Sequence, residues 1–499
     1  MADIDNDLLS IQEARTLATQ AREAQRQFLH ATQAEVDRIC AAMAQAAADA
    51  SVALGKLASE ETGYGVPEHK TLKNLLSSQL LWDAIKDIPT VGVIRSDPKN
   101  GTYDIAWPMG VVAALTPSTN PTSTTMFKIL ISVKAKNGIV VAPHPFAAKC
   151  CAETARIMAE AGERAGMPKG LVSCMTRVSL PGTQELMKHR YVALILATGG
   201  SDMVRAAHSV GKPAYGVGPG NVPVYVDRSA DVARAARYIV ASKAFDHSVI
   251  CATEQAVVAD RPIAGELEQL MKEAGAYFVD DNIKSILARN LFAGHLPNPK
   301  SVGKSPQQLA QQYGFSVPDW ARILVVRLNS VGRDDPLSGE KLTTVLGWYE
   351  VDGWEAGCER CIELINYGGR GHSLVIHSRD ENVIMQFGLE KPVFRIVANT
   401  LGTLGTTGFT TGLMPSMTLG SGGVGGAITG DNITVHHMYN TKRLAYEIRT
   451  APDAAFSPGS TDSQAQRSAF TGGYSAAPGN VANAQVEEIV RKVLLELKK

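Results

Sequence analysis

The sequence predicts an α/β protein with two lobes, each built around a parallel sheet. From residue 110 onward, short apolar runs rich in β-branched residues alternate with helical patterns. That alternation is typical of parallel strands covered by helices on both faces. The chain has 499 residues, which is enough for two or three domains.

The N-terminal residues 10–50 predict two helices that precede the first lobe. Ser10 with Glu13, and Thr32 with Glu35, have the spacing of capping boxes, in which side chains satisfy unpaired amides at a helix start. The elements predicted for the first lobe then follow in chain order: GVVAAL (110–115), a helix over 122–135, GIVVA (138–142), a helix over 146–165, LVSCM (171–175), VALILA (192–197) and VPVYV (222–226).

The second half of the chain continues the alternation with a different spacing, which predicts a second α/β lobe. Its predicted strands are ARILVVRL (321–328), TTVLGWYEV (343–351), HSLVIHS (372–378) and VFRIVAN (393–399). A cleft between two such lobes is the usual place for a ligand.

The C-terminal residues differ in kind from the two lobes. Residues 451–480 consist largely of Ala, Ser, Gly and Pro, which predicts a flexible linker. Residues 481–499 then predict an amphipathic helix, whose apolar face is formed by Val486, Ile489, Val490, Val493, Leu494 and Leu497. A lone helix of this length is marginal in water, so the face needs a partner. Either it folds back on its own chain, or it docks elsewhere, which the long linker favours.

Composition excludes several classes of function. Lys plus Arg equals Asp plus Glu at 49 each, so no net charge attracts the chain to nucleic acid or to an anionic membrane. No apolar run approaches the roughly 20 residues needed to span a bilayer, and the start MADIDNDLLS lacks the pattern of a secretory signal. Seven scattered cysteines indicate reduced thiols. We therefore expect a soluble cytoplasmic protein.

Three short motifs are weak indicators of function. GSGGVG (420–425) has the spacing of a dinucleotide fingerprint, but the residues after it indicate a turn and a strand rather than a helix. Cys358 and Cys361 lie in a predicted helix with no second ligand pair, so we predict no metal site. His436 and His437 are interpreted as a loop or strand feature.

Two loops at predicted strand ends are better candidates for a site. In LATGG (196–200), an apolar strand runs into two glycines and then into a helix that starts near Ser201. This is either a tight βα turn or a turn that brings backbone amides to a phosphate. The TPSTN stretch (116–120) is either a plain polar loop or part of a ligand site, where Asn120 could direct its amide at an oxyanion.

Taken together and in order, eight stretches resemble the CoA-acylating branch of the aldehyde dehydrogenase superfamily. The resemblance covers roughly residues 10–445. The stretches are TPSTNPTST (116–124), VAPHP (141–145), LATGG (196–200), YGVGPGNVPVYVD (215–227), SVICATEQ (248–255), EKLTTVL (340–346), INYGGRGHSLVIHS (365–378) and PSMTLGSGGVGG (415–426).

The resemblance implies that Cys251 is a nucleophile. Its thiolate would add to an aldehyde, and loss of hydride to NAD would leave an acyl-cysteine thioester. The Asn120 amide and the backbone N–H of Cys251 would hold the oxyanion. His372 is either part of the acylating motif or a satisfied core histidine. The residues that the resemblance assigns to cofactor binding are Thr116, Pro117, Pro143, His144, Gly199, Gly200, Ser201, Gly218 and Glu340.

The acceptor of the acyl group is indicated by a missing carboxylate. Hydrolytic relatives carry a glutamate in a stretch that corresponds here to Gly216–Asn221, where no carboxylate occurs. A thiol such as coenzyme A is a better nucleophile than unactivated water. Glu254 is a rival base if its segment is helical, although the resemblance implies a structural role. A hydrolytic enzyme, or a non-catalytic protein associated with a shell, remains an alternative.

The resemblance also implies a domain division and a cellular setting. We expect N-terminal helices and a Rossmann-type NAD/CoA domain at 1–245, with an oligomerisation strand near 103–109. The catalytic domain would follow at 246–430, and 431–450 would return to the first region. The tail 481–499 resembles an encapsulation peptide that binds shell or core proteins of a bacterial microcompartment, and the related enzymes act on propionaldehyde or acetaldehyde. A homodimer or homotetramer is expected.

Overall fold

The computed structural model describes residues 5–294 and 296–451. Apart from residue 451, the predicted linker and the predicted helix at 481–499 lie outside the described residues. Within the described part, two parallel sheets and a small antiparallel sheet account for most strands. None of the helices described is both long and apolar enough to span a membrane.

The N-terminal region is helical and is followed by a hairpin. Its elements are α1 (Asn6–Phe28), α2 (Gln33–Asp49), α3 (Ser51–Thr62), α4 (Pro67–Leu75), a π-helical turn (Leu76–Leu80), α5 (Leu81–Ile85), β1 (Gly92–Asp97) and β2 (Thr102–Pro108). The capping box of Thr32 and Glu35 is confirmed. The one predicted at Ser10 is wrong, because Asp5 caps α1 and Ser10 lies inside that helix, where its hydroxyl donates to the carbonyl of Arg177.

The first parallel sheet has five strands in the order β5-β4-β3-β6-β7. Its strands β3 and β4 are buried along their whole length, as their continuous apolar sequences predict. The elements are β3 (Val111–Thr116), α6 (Pro121–Lys134), β4 (Gly138–Pro143), α7 (Ala148–Arg164), β5 (Val172–Cys174), α8 (Leu180–Lys188), β6 (Val192–Thr198), α9 (Ser201–Ser209) and β7 (Ala214–Val217).

The second parallel sheet has seven strands in the order β10-β13-β14-β9-β8-β15-β16. The remaining elements of the chain are β8 (Val222–Val226), α10 (Val232–Ala244), β9 (Glu254–Asp260), α11 (Arg261–Glu273), β10 (Ala276–Phe278), α12 (Asp281–Asn290), β11 (Phe292–Ala293), β12 (Leu296–Pro297), α13 (Pro306–Tyr313), β13 (Ile323–Arg327), β14 (Val345–Val351), α14 (Gly353–Gly368), β15 (Gly371–His377), α15 (Glu381–Glu390), β16 (Val393–Ala398), α16 (Gly402–Thr406) and β17 (Tyr439–Ala445).

The chain changes from the first parallel sheet to the second before β8, and the domain boundary expected at residue 245 stays a prediction. Strand β8 pairs in parallel with β9 and β15, so it belongs to the second sheet. The chain therefore passes from one sheet to the other between Val217 and Val222. Strand β17 returns to pair antiparallel with β2, so residues 439–445 do come back to the region near 103–109. Whether this sheet forms an oligomer contact stays a prediction.

Candidate active site

A cleft with a volume of about 1110 Å³ opens between the ends of the two parallel sheets. Nine of the eleven residues assigned from the sequence line it: Pro117, Asn120, His144, Gly199, Gly200, Ser201, Gly218, Cys251 and Glu340. Thr116 and Pro143 do not. Thr116 is fully buried, with its hydroxyl 3.6 Å from Cys151 Sγ, and Pro143 pairs with it as the last residue of the neighbouring strand.

Cys251 lies in the turn that leads into β9 and is partly exposed to the cleft. Three consecutive residues before it have left-handed backbone angles: Asp246 (φ 47°), His247 (φ 50°) and Ser248 (φ 67°). Non-glycine residues adopt this conformation at a cost, which the surrounding contacts must offset. The strained turn sets the direction in which Cys251 faces.

His372, from β15, lies within hydrogen-bonding distance of the Cys251 thiol. Its Nε2 lies 3.2 Å from Cys251 Sγ, and its Nδ1 lies 3.0 Å from Ser373 Oγ. Burial, reinforced by the Arg395 charge, lowers the pKa of His372 to about 3. The imidazole is therefore neutral near pH 7, with Nε2 able to accept the thiol proton when Nδ1–H donates to Ser373.

Cys251 is a thiol rather than a thiolate in this resting site. Burial and the Glu340 carboxylate raise its pKa to about 12, against the opposing effects of Arg395 and of the backbone N–H groups of Cys251 and Ala252. The neutral thiol and the neutral imidazole of His372 form a hydrogen-bonded pair. Attack on a carbonyl then requires the proton to leave as the new bond forms.

Arg395, from β16, fixes the backbone around this pair. Its guanidinium donates to the carbonyl oxygens of His372 at 2.9 Å and Gly430 at 2.7 Å, and also to that of Gly420. Burial lowers the pKa of Arg395 to about 10, so it stays charged near neutral pH. It is therefore a buried positive charge close to the reacting sulfur.

Asn120 lies at the start of α6 and faces the turn that carries Cys251. Its Nδ2 donates to the Val249 carbonyl at 3.3 Å and to Thr119 Oγ1 at 3.1 Å, while its Oδ1 accepts from Lys73 Nζ at 2.6 Å. Both N–H groups of the amide are thus engaged beside the turn that carries Cys251. An oxygen that became negatively charged beside Cys251 could take over one of these donors.

A buried ionic cluster lies behind Asn120 and the strained turn. The Asp246 carboxylate accepts from Lys70 at 3.2 Å, from Lys73, and from the backbone N–H of Val66 at 2.7 Å. Burial raises the pKa of Asp246, but the two lysines outweigh burial and the net shift is downward. Burial likewise lowers the pKa of Lys73 to about 8. Helix α4 thereby holds the catalytic turn through charged contacts.

The opposite end of the cleft fits a pyridine dinucleotide. Helix α9 begins there after Gly199 and Gly200, and no side chain caps its first amides, which leaves them available to a phosphate. Glu340 lines the same cleft, with Oε1 accepting from the Gly220 N–H at 3.2 Å. Burial raises the pKa of Glu340 to about 8, and a ribose hydroxyl would provide a second polar partner for this carboxyl group.

Comparison with known proteins assigns the chain to a family, since the aldehyde dehydrogenase family model matches residues 8–285. The chain belongs to the aldehyde dehydrogenase family. The family prediction is thereby confirmed. Aldehyde-alcohol dehydrogenase 2 of Entamoeba histolytica is 39% identical over 441 residues, covering 86% of this chain and 51% of the relative. An acetylating succinate-semialdehyde dehydrogenase of Clostridium kluyveri is 36% identical, covering 87% and 95%. The chain spans about half the length of several curated relatives that it matches.

Solved structures agree with the assignment. An acetylating aldehyde dehydrogenase from Geobacillus thermoglucosidasius is 48% identical with a TM-score of 0.89, covering 90% of this chain and 99% of that one. A Rhodopseudomonas palustris propionaldehyde dehydrogenase with bound CoA and an acylated cysteine is 27% identical with a TM-score of 0.79, covering 87% and 97%. A propionaldehyde dehydrogenase from the Clostridium phytofermentans fucose utilisation bacterial microcompartment is 27% identical with a TM-score of 0.79, covering 86% and 96%.

The rival base Glu254 does not line the cleft. The premise that its segment is helical is wrong, because Glu254 is the first residue of β9. Its buried carboxylate accepts from Ser242 Oγ at 2.5 Å and from the Gly402 N–H at 2.7 Å. Among the described residues that line the cleft, Glu340 alone carries a carboxylate.

The segment Gly216–Asn221 approaches Cys251 through backbone alone. A Cβ on Gly220 would lie 2.4 Å from the carbonyl oxygen of Cys251 and 2.9 Å from the ring of His372. No side chain fits at that position, so the residue before Asn221 has to be glycine.

A second, apolar cavity of about 380 Å³ adjoins the nucleophile. It shares Ile250, Thr407 and Met417 with the main cleft. Its other lining residues are Leu72, Lys73, Leu76, Leu404 and Phe409. The charge of Lys73 is engaged by Asp246, so the cavity presents hydrocarbon to a ligand. It is lined by Ile250, the residue directly before Cys251 in the chain.

The weak motifs take no part in this site. The GSGGVG stretch forms a loop with a short 3-10 turn at Gly423–Gly425 rather than a helix start, and His436 and His437 lie in a second 3-10 turn. The structure finds no cluster of potential metal ligands among residues 5–294 and 296–451. Cys358 is buried in α14, as its predicted helix requires, and contacts Lys391.

Proposed function

We propose that this chain is a CoA-acylating aldehyde dehydrogenase, which converts an aldehyde, NAD and coenzyme A into an acyl-CoA and NADH. One observation supports this above the alternatives. Cys251, which lines the cleft, lies 3.2 Å from the buried His372, and Glu340, whose pKa is raised to about 8, carries the one carboxyl group among the described residues that line the cleft. The acyl group is therefore left for a thiol.

The first half of the reaction forms the thioester. Cys251 Sγ bonds to the carbonyl carbon while its proton moves to His372 Nε2, and the carbonyl oxygen takes the negative charge. The Asn120 amide and the backbone N–H of Cys251 stabilise that oxygen. Bound NAD supplies the acceptor for the hydride. When the C–H bond breaks, the C=O bond reforms and the acyl group stays on Cys251.

The second half transfers the acyl group to coenzyme A. His372 first releases to solvent the proton that it took from Cys251. The CoA sulfur then attacks the same carbonyl carbon while its proton passes to His372 Nε2, and the tetrahedral oxygen uses the same two donors. When the bond to Cys251 breaks, the cysteine sulfur takes that proton from His372. Thiol attack needs no base that activates water. This agrees with Glu340, whose pKa is raised to about 8, so that its carboxyl group is mostly protonated near pH 7.

Cofactor contacts are distributed around the cleft. We assign Gly199, Gly200 and Ser201 to phosphate and nicotinamide contacts, and Glu340 to a ribose hydroxyl. Pro117, His144 and Gly218 contribute cleft wall. Thr116 and Pro143 act behind this wall, through the backbone hydrogen bond from the His144 N–H to the Thr116 carbonyl, 2.9 Å long.

The apolar cavity supports a short aliphatic aldehyde, with propionaldehyde as the proposed substrate. A carboxylate at the far end of a substrate would be desolvated there without a free cation, since the charge of Lys73 is already paired. We therefore expect this chain to discriminate against succinate semialdehyde, the substrate in the name of its Clostridium kluyveri relative.

A bacterial microcompartment is the proposed setting, with a homodimer or homotetramer as the assembly. The sequence pattern of residues 481–499 and the similarity to the Clostridium phytofermentans microcompartment enzyme support this. Deleting residues 481–499 should leave turnover unchanged and release the enzyme from purified shells. Retention of the truncated chain on shells would contradict the docking role.

The deciding experiment is an NADH assay across C2–C4 aldehydes, with and without coenzyme A. CoA-acylating activity predicts that NADH accumulates with CoA, and that without CoA it stops after about one equivalent per site. Full turnover without CoA, with free acid as product, would establish the hydrolytic alternative. Inactivity of folded protein towards every aldehyde would favour a non-catalytic, shell-associated role.

A further inference from the structure

We infer that Lys73 is a positioning residue for the oxyanion site, because it holds the Asn120 amide with its N–H groups facing the nucleophile. The inference rests on the role proposed above for Asn120. It follows from contacts around the amide that leave only one orientation chemically satisfied.

The two ends of the Asn120 side chain meet partners of opposite kind. Oδ1 lies 2.6 Å from Lys73 Nζ, which can only donate hydrogen bonds. Nδ2 lies 3.3 Å from the Val249 carbonyl, which can only accept them. A flipped amide would set an N–H group against an ammonium and an oxygen against an oxygen. Lys73 therefore opposes rotation of the amide donor away from Cys251.

Lys73 is itself held in place by an ion pair with Asp246. Its ammonium pairs with Asp246, the first residue of the strained turn, and its side chain is 3% exposed. The same carboxylate accepts from Lys70 and from the Val66 N–H, and the Asp246 N–H donates to His69 Nδ1 at 2.9 Å. One helix, α4, thus connects the oxyanion donor and the turn that carries the nucleophile.

Lys70 provides a matched control within the same cluster. It is as deeply buried as Lys73 and pairs with the same carboxylate, but its other contact is the Thr119 carbonyl rather than the Asn120 side chain. Replacing either lysine removes one positive charge from Asp246. Only the replacement of Lys73 releases the amide.

The experiment compares Lys73→Met, Lys70→Met, Asn120→Ala and the double variant Lys73→Met/Asn120→Ala. Methionine keeps an apolar stem in the wall of the adjoining cavity. Steady-state kcat is measured with saturating propionaldehyde, NAD and CoA, together with KM for each. The rate at which iodoacetamide alkylates Cys251 is followed by mass spectrometry of its peptide, because alkylation uses the sulfur but not the oxyanion site.

We expect Asn120→Ala to lower kcat by about 100- to 1000-fold and Lys73→Met by about 10- to 100-fold. Lys70→Met removes one charge from Asp246 but leaves the amide held, so its loss of kcat should be at least about fivefold smaller than that of Lys73→Met. In Lys73→Met, KM for NAD and CoA and the alkylation rate should change by less than about twofold. When Asn120 is already alanine, adding Lys73→Met should lower kcat by less than a further factor of about three, because the amide that Lys73 positions is absent.

Several results would overturn the inference. Lys73 would have a general structural role if Lys73→Met and Lys70→Met lowered kcat equally, or if the alkylation rate fell in step with kcat. The same conclusion would follow if the double variant lost kcat by the product of the two single factors. If Asn120→Ala retains kcat, the proposed oxyanion site fails and the inference fails with it. If Lys73→Met does not fold, Lys73→Gln and Lys70→Gln replace the methionine pair, and the same order of kcat is required.

Discussion

Replacing His372 with alanine tests the central contact of the site. Nε2 of His372 is 3.2 Å from Cys251 Sγ, and Cys251 holds its proton because burial raises its pKa to about 12. A positioned base contributes roughly 100- to 10,000-fold to a reaction of this kind, equivalent to about 2.7–5.4 kcal/mol of activation free energy. We therefore expect His372→Ala to lower kcat/KM for propionaldehyde by a factor in that range.

The pH dependence of this variant gives a sharper test. The pKa of His372 is lowered to about 3, so the imidazole is neutral and able to accept a proton throughout pH 6–9. The thiol is protonated throughout the same window. The rate of thiol addition in the unmodified enzyme should therefore be nearly flat with pH. Without His372 the proton has to go to solvent, so the rate should follow the thiolate fraction and rise about tenfold per pH unit.

The assay is stopped-flow NADH formation at 340 nm with limiting aldehyde, repeated from pH 6 to pH 9. His377→Ala is the control, since His377 lies on the same strand, is equally buried and does not contact the nucleophile. Its kcat/KM should change by less than about twofold. The reasoning is refuted if His372→Ala keeps kcat/KM within about threefold, or if the unmodified enzyme shows an inflection near pH 6–7 that the variant lacks.

Three further predictions follow from other contacts. Cys251→Ala should abolish NADH formation while leaving the melting temperature within a few degrees, because a partly exposed thiol is exchanged for a methyl group; residual turnover would assign the nucleophile elsewhere. Alkylation of Cys251 by iodoacetamide in the enzyme without ligands should rise about tenfold per pH unit from pH 7 to pH 9, since the raised pKa keeps the thiolate scarce; a plateau below pH 8 would contradict the burial argument. Gly65→Ala should lower the free energy of unfolding by about 2–5 kcal/mol, because φ there is 71° and a Cβ would lie 1.9 Å from Asp246 Oδ1; Gly211→Ala, also at positive φ but with open space around it, is the control and should cost about 1–2 kcal/mol in urea denaturation.

Nine of the twelve strands in the two parallel sheets were predictable, because parallel strands buried on both faces are continuous apolar runs, whereas β7, β9 and β10 were not predicted. Val111–Thr116 and Val345–Val351 lie where GVVAAL and TTVLGWYEV predict them, within two residues. The change of sheet between Val217 and Val222 was not predictable, because the sequence pattern of alternating strands and helices is the same before and after these residues. Which neighbour β8 takes depends on contacts with β15, nearly 150 residues away.

Some polar residues of the site were predictable from the sequence, and others were not. Cys251 and Asn120 occur in short stretches that resemble a family, so their sequence neighbours identify them. Lys73, Asp246 and Arg395 have no such neighbours, because their importance comes from contacts between distant parts of the chain. The spacing of Lys70 and Lys73 does place both on one face of a helix, and that was the available signal for the buried cluster.

The resting state of the nucleophile has a chemical consequence for selectivity. A thiol whose pKa is raised to about 12 reacts slowly with oxidants and alkylating agents, because those reactions require free thiolate. A carbonyl bound against Asn120 differs, since its oxygen takes up negative charge next to an aligned donor while His372 takes the proton. Reactivity is then conferred by the substrate's own geometry rather than by a permanently ionised sulfur. The neutral Cys251–His372 pair and the fixed Asn120 amide thus act on the same step. Loss of His372 or of the Asn120 amide should leave a folded enzyme whose thiol is intact but adds slowly to aldehydes.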